Sequence, residues 1–149
     1  MDVTGTIDAI LNQKSGDVYS VSPEATVYDA IALMAERNIG ALLVIEGTEL
    51  VGIISERDYT RKVMLRGKRS RETQVREIMS TNLTTVDPKR SVDDCLRFMT
   101  EKRVRHLPVV SADGICGVIS IGDLVKHVIS VQSATLDHLE RYISGGYAS

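Results

Sequence analysis

Two short motifs carry a serine and an aspartate at the same spacing. One reads LVGIISERD and ends at Asp58, and the other reads ICGVISIGD and ends at Asp123. In each, an apolar run rich in β-branched residues predicts a strand, Ser55 or Ser120 is suited to cap the following helix, and the aspartate falls in the first helical turn. A hydroxyl and a carboxylate held together at such a corner can hydrogen-bond the diol of a ribose. The sequence therefore predicts two polyol-binding corners.

The elements that must position these corners occur twice. Adding 65 to a position in the first half gives its counterpart in the second half without a gap, as for Thr26 and Ser91 or Gly52 and Gly117. Hydrophobic spacing in the first copy predicts a strand at 18–21, a helix at 26–38, strands at 41–45 and 50–55, and a helix at 56–65. The repetition predicts an α/β (α+β) fold in which two strand-helix-strand-strand-helix units pack face to face about a pseudo-twofold axis.

The repetition also predicts the domain organisation. We expect an N-terminal helix at 1–13, a first repeat at 14–66, a linker at 67–74, a second repeat at 75–128 and a C-terminal helix and tail at 129–149. In the tail, Leu136, Leu139 and Ile143 recur at helical spacing, and Gly145 and Gly146 are expected to end the helix. Because the duplicated unit is complete without this apolar stripe, we expect the stripe to mediate a homodimer.

Composition and charge are those of an ordinary globular protein. The 149 residues are 43% hydrophobic and 26% charged, with a formal net charge of -2, which gives no overall attraction to nucleic acid or to an anionic membrane. No apolar run reaches the roughly 18 residues of a spanning helix, and the N-terminus lacks the pattern of a signal peptide. Cys95 and Cys116 are expected to be small core residues rather than a disulfide. These features predict a cytoplasmic protein with no membrane partner.

The sequence has no recognisable catalytic or metal-binding motif. His106, His127 and His138 are not tied by any motif to a nucleophile and a carboxylate, and no glycine-rich phosphate loop or metal-ligand spacing occurs. The basic run RKVMLRGKRSR leaves nucleic-acid binding as an alternative, but it lacks interleaved aromatic residues that would stack on bases, so a solvated linker is the favoured interpretation. We therefore expect a non-catalytic protein without a metal.

The chain resembles a pair of CBS domains, the tandem also called a Bateman module, and in particular the small stand-alone bacterial pairs. The resemblance covers roughly residues 14–126 and rests on GIISERD and GVISIGD, on the strand-turn-strand runs ALLVIEGTELVG and HLPVVSADGICG, and on REIMSTNLTTVDP. It implies a regulatory module that binds adenosine-containing ligands in two clefts between the repeats and forms a dimer. It also implies a regulated protein, which the sequence does not identify.

The family pattern assigns residues of this chain to the two clefts. The first cleft is expected to join Ser55 and Asp58 with Leu83, Thr84, Val104, Arg105 and His106. The second cleft is expected to join Ser120 and Asp123 with Val18, Tyr19, Ile39, Gly40 and Ala41. In each, the aspartate is expected to hold the ribose hydroxyls while the other residues enclose the base and reach toward phosphate. An alternative remains open, in which Asp58 and Asp123 only stabilise their helix N-termini.

Basic residues near the clefts are candidate phosphate ligands. Arg105 and His106 offer donors suited to phosphate, and Arg103 is a candidate beside them. The alternative is that these basic residues lie in solvent and complement the C-terminal end of a helix. Arg57, near the start of a predicted helix, and Lys14 are further candidates.

The resemblance predicts the class of ligand but not its identity. AMP is the first expectation and NAD(H) the second, and ADP, ATP and S-adenosylmethionine are alternatives. The two clefts differ where Gly40 and Ala41 stand opposite Arg105 and His106. Because the small pair leaves room and the basic pair fills it with charge, we expect AMP in the first cleft and a dinucleotide such as NAD(H) in the second. Binding of one nucleotide in both clefts is the alternative.

Overall fold

The computed structural model describes residues 5–14 and 18–148, with side chains described as far as residue 141. The helices are α1 (Ile7–Gln13), α2 (Val27–Arg37), α3 (Glu56–Tyr59), α4 (Val75–Ile78), α5 (Val92–Lys102) and α6 (Ile121–Ala148). The strands are β1 (Ser20–Val21), β2 (Ala41–Glu46), β3 (Glu49–Ser55), β4 (His106–Ser111) and β5 (Gly114–Ser120). A π-helical segment, Thr60–Met64, continues α3. The mixed α and β architecture is confirmed, and residues 1–4 of the predicted N-terminal helix lie outside the described residues.

Each repeat is built around an antiparallel hairpin. β2 pairs with β3 and β4 pairs with β5, in registers that place Ala41 opposite Ser55 and His106 opposite Ser120. Both hairpins also have a register shift at equivalent positions. The two hairpins are thus built alike, and each capped corner lies at the same end of its hairpin.

The first strand differs between the two repeats. β1 runs parallel to β2, whereas in the second repeat only Val86 forms an isolated parallel bridge to β4. In the first repeat, the N–H of Leu43 donates a hydrogen bond to the carbonyl of Tyr19 at 3.4 Å. The counterpart of Leu43 is Pro108, which has no N–H and cannot make the equivalent bond to the carbonyl of Thr84. The predicted strand is therefore reduced to one bridge in the second repeat.

Two short helices, α1 before the first repeat and α4 at the start of the second, each pack into the core of the opposite repeat. α1 precedes the first repeat, yet Ile7 and Ile10 are buried in the core of the second repeat with Leu107. α4 begins the second repeat, yet Val75 and Ile78 are buried in the core of the first. Each repeat therefore completes the core of the other, and the N-terminal helix packs as a part of the second repeat.

The segment between the repeats keeps its basic side chains exposed, as expected of a solvated linker, but parts of its backbone are docked on α2. Thr73 is 4% exposed, and its carbonyl accepts a hydrogen bond from the N–H of Val27 at 2.8 Å. The carbonyl of Ser70 accepts from the N–H of Tyr28 at 3.0 Å, and the guanidinium of Arg71 lies 3.7 Å from the centre of the Tyr28 ring. The segment thus supplies acceptors to the first N–H groups of α2, which have no partner within the helix.

The last helix is longer than the sequence predicted. α6 continues without interruption from Ile121 to Ala148, so the prediction that Gly145 and Gly146 end it is wrong. A glycine weakens a helix by about 1 kcal/mol relative to alanine but does not by itself terminate it. The start of α6 belongs to the core of the second repeat through Leu124. No helix in the described part of the chain is long and apolar enough to cross a membrane.

Candidate functional site

Two clefts open between the repeats, and each contains one capped corner. The first cleft has a volume of about 720 Å³ and contains Ser55 and Asp58. The second has a volume of about 530 Å³ and contains Ser120 and Asp123. Every residue that the sequence assigned to the first cleft lines it, together with Arg57 and Arg103. Every residue assigned to the second cleft lines that one, together with Lys14. The fold thus brings the predicted residues together in the two predicted groups.

Asp58 is held in the first cleft by a reciprocal helix cap. Its Oδ2 accepts hydrogen bonds from the N–H of Ser55 at 2.9 Å and from Ser55 Oγ at 3.1 Å. The N–H of Asp58 in turn donates to Ser55 Oγ at 3.2 Å. Its Oδ1 lies 3.1 Å from Lys62 Nζ, which also donates to the carbonyl of Ile78 at 2.9 Å. The side chain is 13% exposed, so its orientation at the cleft is fixed before any ligand arrives.

Asp123 has a similar arrangement in the second cleft. Its Oδ2 accepts hydrogen bonds from the N–H of Ser120 at 2.9 Å and from Lys14 Nζ at 2.8 Å, and its N–H donates to Ser120 Oγ at 3.0 Å. Lys14 Nζ also donates to the carbonyl of Val118 at 3.0 Å. Partial burial alone would raise the pKa of the Asp123 carboxyl, but the bonds from Lys14 and Ser120 outweigh burial and hold that pKa below its usual value. Asp123 is therefore ionised at neutral pH.

In both corners a lysine links the aspartate to the short helix, α4 or α1, that packs into the core of the same repeat. In the first cleft, Lys62 reaches from Asp58 to Ile78 at the end of α4. In the second, Lys14 directly follows α1 and reaches Asp123. The two lysines are not counterparts in the repeat, so the same link is made from opposite sides. Sequence reasoning missed Lys62, although its spacing of four residues from Asp58 is typical of a helical ion pair.

The Ser-x-x-Asp spacing alone does not mark a cleft. Ser91 and Asp94 have the same spacing at the start of α5, and the N–H of Asp94 donates to Ser91 Oγ at 3.0 Å. Neither of these two residues lines either cleft. The capping role of Asp58 and Asp123 is therefore established by geometry, and any ribose role rests on their position inside a cleft.

His106 and Gly40 form the wall between the two clefts. Each of them lines both clefts, whereas the sequence assigned each to one cleft only. His106 Nε2 lies 3.4 Å from the position that a Cβ on Gly40 would occupy, and Glu56 Oε1 lies 3.3 Å from the same point. A larger side chain at position 40 would therefore push against the imidazole, so the small residue keeps the wall thin.

We expect His106 to lower the stability of the folded protein in mild acid. Burial lowers the pKa of its imidazole. Among the surrounding charges, Asp123 and Asp58 oppose that shift, while Lys14 and Arg105 reinforce it. Because the unfolded chain keeps a histidine pKa near 6.5, it binds the proton more readily, and the free energy of unfolding falls as the pH drops below about 6.5. Urea unfolding should show a steeper loss between about pH 7.5 and about pH 5.5 for the wild type than for His106→Gln. Parallel profiles would contradict this prediction.

The structure adds cleft residues that sequence reasoning missed. They include Glu56, Arg61 and Asn82 in the first cleft and Leu11, Arg37 and Cys116 in the second. Arg61 lies in the helix predicted at 56–65 but was considered only as a member of the basic run, although it follows Arg57 by four residues and so shares its helix face. Arg37 lies over the ring of Tyr19, with its guanidinium 5.1 Å from the ring centre.

The sizes of the clefts are the reverse of the sequence expectation. The second cleft, with Gly40 and Ala41, is smaller than the first, at about 530 Å³ against about 720 Å³. Gly40 opens both clefts because it lines both. The second cleft also contains Tyr19 and Arg37, and the counterpart of Tyr19 in the first cleft is the smaller Thr84. The argument that small residues leave room for a dinucleotide in the second cleft is therefore wrong.

The two cysteines differ in burial. Cys95 is buried and free, and burial raises the pKa of its thiol to about 11, so it stays protonated at neutral pH. Cys116 is also free, but it is only partly buried against the core of the second repeat and lines the second cleft, so its prediction as a core residue is wrong. Among the described residues, no group of three or more histidines, cysteines or carboxylates is placed to hold a metal ion.

Two stretches of the chain, each with one capped corner, match the family model of the CBS domain, at residues 11–65 and 75–130. The chain belongs to the CBS-domain family. The first CBS match begins inside α1 and the second begins at α4. In this CBS pair, therefore, the sequence match of each domain begins in a helix whose side chains pack into the core of the other domain.

Two proteins named for their CBS domains are similar to this chain. A CBS-domain protein from Burkholderia ambifaria is 49% identical, with a TM-score of 0.81, over 84% of this chain and 94% of that one. The Arabidopsis thaliana protein named CBS domain-containing protein CBSX3, mitochondrial, is 43% identical over 127 residues, which are 82% of this chain and 62% of the relative. This chain thus spans less than two thirds of the Arabidopsis protein.

A more distant structure shares the fold. It is the CBS domain pair of protein MJ0100, which was solved in complex with 5′-methylthioadenosine and S-adenosyl-L-methionine. It is 23% identical to this chain with a TM-score of 0.72, over 81% of this chain and 93% of that one.

Proposed function

We propose that this CBS pair is a regulatory, non-catalytic sensor that binds adenosyl ligands in its two clefts. The observation that carries the proposal is that each cleft presents a capped aspartate, Asp58 or Asp123, beside cationic side chains. A carboxylate held in this way can accept hydrogen bonds from both hydroxyls of a ribose. The cleft volumes lie in the range of small-molecule sites, about 300–1,000 Å³. The adenosyl ligands in the MJ0100 complex support the same ligand class.

Backbone groups in the first cleft favour adenine. Thr84 lines this cleft, and Pro108 cannot give the Thr84 carbonyl the N–H that the carbonyl of Tyr19 receives in the first repeat. The Thr84 carbonyl can therefore accept a hydrogen bond from an exocyclic amine such as that of adenine. Leu83 and Val104 line the same cleft and offer apolar surface to a base. A base with a carbonyl in place of the amine would lose this bond.

AMP and NAD(H) are the ligands that we propose first, with ADP, ATP and S-adenosylmethionine as further members of the class. Binding would report to a regulated protein whose identity the chain does not reveal. We also propose a cytoplasmic location. Nucleic acid is a weaker candidate partner because part of the basic segment is docked on α2, where Arg71 lies against Tyr28.

Native mass spectrometry tests this proposal. We expect the purified protein to retain an adenosyl ligand or to take one up from added AMP, and chromatography should recover the added AMP unchanged. IMP serves as the control, since it shares the ribose and phosphate but carries a carbonyl in place of the adenine amine. Conversion of AMP would contradict the non-catalytic role, and equal uptake of IMP would contradict the adenine preference.

An exposed apolar stripe on α6 supports the proposed homodimer. Five residues of the stripe are between 39% and 65% exposed, namely Ile121, Val125, Ile129, Leu136 and Leu139. At 3.6 residues per turn they fall on one face of the helix. The stripe begins inside the second repeat, earlier than the sequence predicted, and the side chain of Ile143 lies outside the described residues. The same apolar stripe on a second copy of the chain would match it in chemistry, so we propose that two α6 helices form the dimer interface.

We expect the Ile129→Glu/Leu136→Glu double variant to sediment as a monomer in analytical ultracentrifugation. Two carboxylates would have to be buried without partners in the proposed interface, which is strongly unfavourable. Removing residues 133–149 should shift the protein the same way, but less, because the stripe from Ile121 to Ile129 remains. Ser130→Glu, on the opposite side of α6, should sediment like the wild type. A dimeric double variant would place the interface elsewhere.

A further inference from the structure

We propose that the first cleft selects adenine nucleotides with two or more linked phosphates, whereas the second cleft takes adenosyl ligands with one phosphate or none. This assignment rests on the proposed function and gives each cleft its own ligand class. It reverses the sequence expectation, which placed AMP in the first cleft and a dinucleotide in the second.

Four arginines line the first cleft. Arg57 comes from α3 and Arg61 from the π-helical segment, while Arg103 and Arg105 come from the loop before β4. Within the described residues, none of the four guanidinium groups makes a hydrogen bond or an ion pair. Planar guanidinium groups bind phosphate oxygens in pairs, so four of them on two sides of a cavity suit more than one phosphate.

The carboxylates of the first cleft offset little of this charge. Asp58 is already paired with Lys62, whose Nζ lies 3.1 Å from its Oδ1. Glu56 is then the other carboxylate that lines the cleft, against four guanidinium groups. The excess positive charge is therefore available to linked phosphates, and its attraction should weaken as salt is added.

The second cleft has fewer cations, and both of them are engaged. Lys14 Nζ lies 2.8 Å from Asp123 Oδ2, and the guanidinium of Arg37 lies over the Tyr19 ring. The repeat counterparts of the four arginines are Gly122, Lys126, Asn38 and Gly40. Lys126 does not line the second cleft, and the other three carry no charge. The second cleft is therefore suited to a ligand with little negative charge.

Two backbone irregularities coincide with the arginines of the first cleft. The π-helical segment, shown by a 3.0 Å bond from the N–H of Leu65 to the carbonyl of Thr60, carries Arg61. Arg103 ends α5 with a φ of 55°, in the left-handed region, where its counterpart Asn38 is a more favourable residue type. Such irregularities concentrate at functional sites. They support a ligand role for this arginine cluster.

Calorimetric titration of single-cleft variants tests the assignment. Asp123→Asn leaves the first cleft intact, and Asp58→Asn leaves the second. AMP, ADP, ATP and 5′-methylthioadenosine are titrated at fixed ionic strength, with NADH compared against ADP to separate a dinucleotide from a nucleoside polyphosphate. In Asp123→Asn, we expect ADP and ATP to bind at least about tenfold more tightly than AMP. In Asp58→Asn, AMP and ATP should differ by less than about threefold.

Arginine variants separate direct contact from overall charge. Arg57→Gln/Arg61→Gln, made in the Asp123→Asn background, should remove most of the preference for ADP and ATP. Arg66→Gln removes an exposed charge that lines neither cleft and should leave the preference unchanged. Equal affinities for AMP and ATP in the first cleft would overturn this assignment while the proposed function stands. If no adenosyl ligand binds the wild type, both are overturned.

Discussion

In calorimetry with adenine nucleotides, Asp58→Asn and Asp123→Asn should each weaken one of the two sites of the wild type. A fixed carboxylate makes charge-assisted hydrogen bonds to the ribose diol, and losing them should cost about 1.5–3 kcal/mol, or roughly ten- to a hundredfold in affinity. Asparagine keeps an oxygen that can accept from the N–H of Ser55 or Ser120, so the helix cap is preserved. The affinity of one cleft should therefore fall while the fold stays intact.

Asp94→Asn is the matched control for these variants. Asp94 follows Ser91 with the same spacing, lies outside both clefts and is 3.3 Å from Arg97. Because Asp94 lies outside both clefts, its replacement should leave both nucleotide affinities unchanged. Losing its partly exposed ion pair should cost only about 0–1 kcal/mol of folding stability. If both cleft variants bound nucleotide with the affinity and stoichiometry of the wild type, the two aspartates would be helix caps and nothing more.

Ile7→Ala should destabilise the second repeat, although Ile7 precedes the first. Ile7 is fully buried beside Leu107, and its N–H donates to the carbonyl of Arg90 at 3.0 Å. Large-to-small replacements at such sites cost about 2–5 kcal/mol of unfolding free energy. Undocking of α1 would also withdraw Lys14 from Asp123, so the second cleft should lose its ion pair as the helix is released.

Hydrogen exchange measured by mass spectrometry shows which repeat is affected. In Ile7→Ala, protection should fall in β4 and β5 more than in β2 and β3. Ile7→Val, which should cost about 0.5–1.5 kcal/mol, carries the same test if the alanine variant does not fold. Leu65→Ala, at a residue that is 74% exposed and lies outside both clefts and the α6 stripe, should change the unfolding free energy by less than about 0.5 kcal/mol. Protection lost only from β2 and β3 would contradict the crossing of α1.

Much of this architecture could be predicted from the repetition alone. Because similar sequence patterns form similar secondary structure, the constant offset between the halves predicted both hairpins and both capped corners. The family pattern then grouped the cleft residues as the structure groups them. The wall of His106 and Gly40 escaped this reasoning, because both residues lie between the repeats and line both clefts.

Other features leave little signal in a single sequence. The spacing of Ile7 and Ile10 predicts a helix but not which core that helix completes, so the crossing of α1 and α4 was not foreseen. The π-helical segment has no periodicity of its own, so only an ordinary helix was predicted at 56–65, and Arg61 was considered only as a member of the basic run. The shortened first strand of the second repeat could have been inferred, since Pro108 removes an N–H from the ladder.

The most direct test of this account is the number of adenine nucleotides bound per chain at saturation. Equilibrium dialysis with AMP in excess measures that number for the wild-type protein. We predict two AMP molecules per chain, one in each cleft. Saturation at fewer than two AMP molecules per chain would contradict the account.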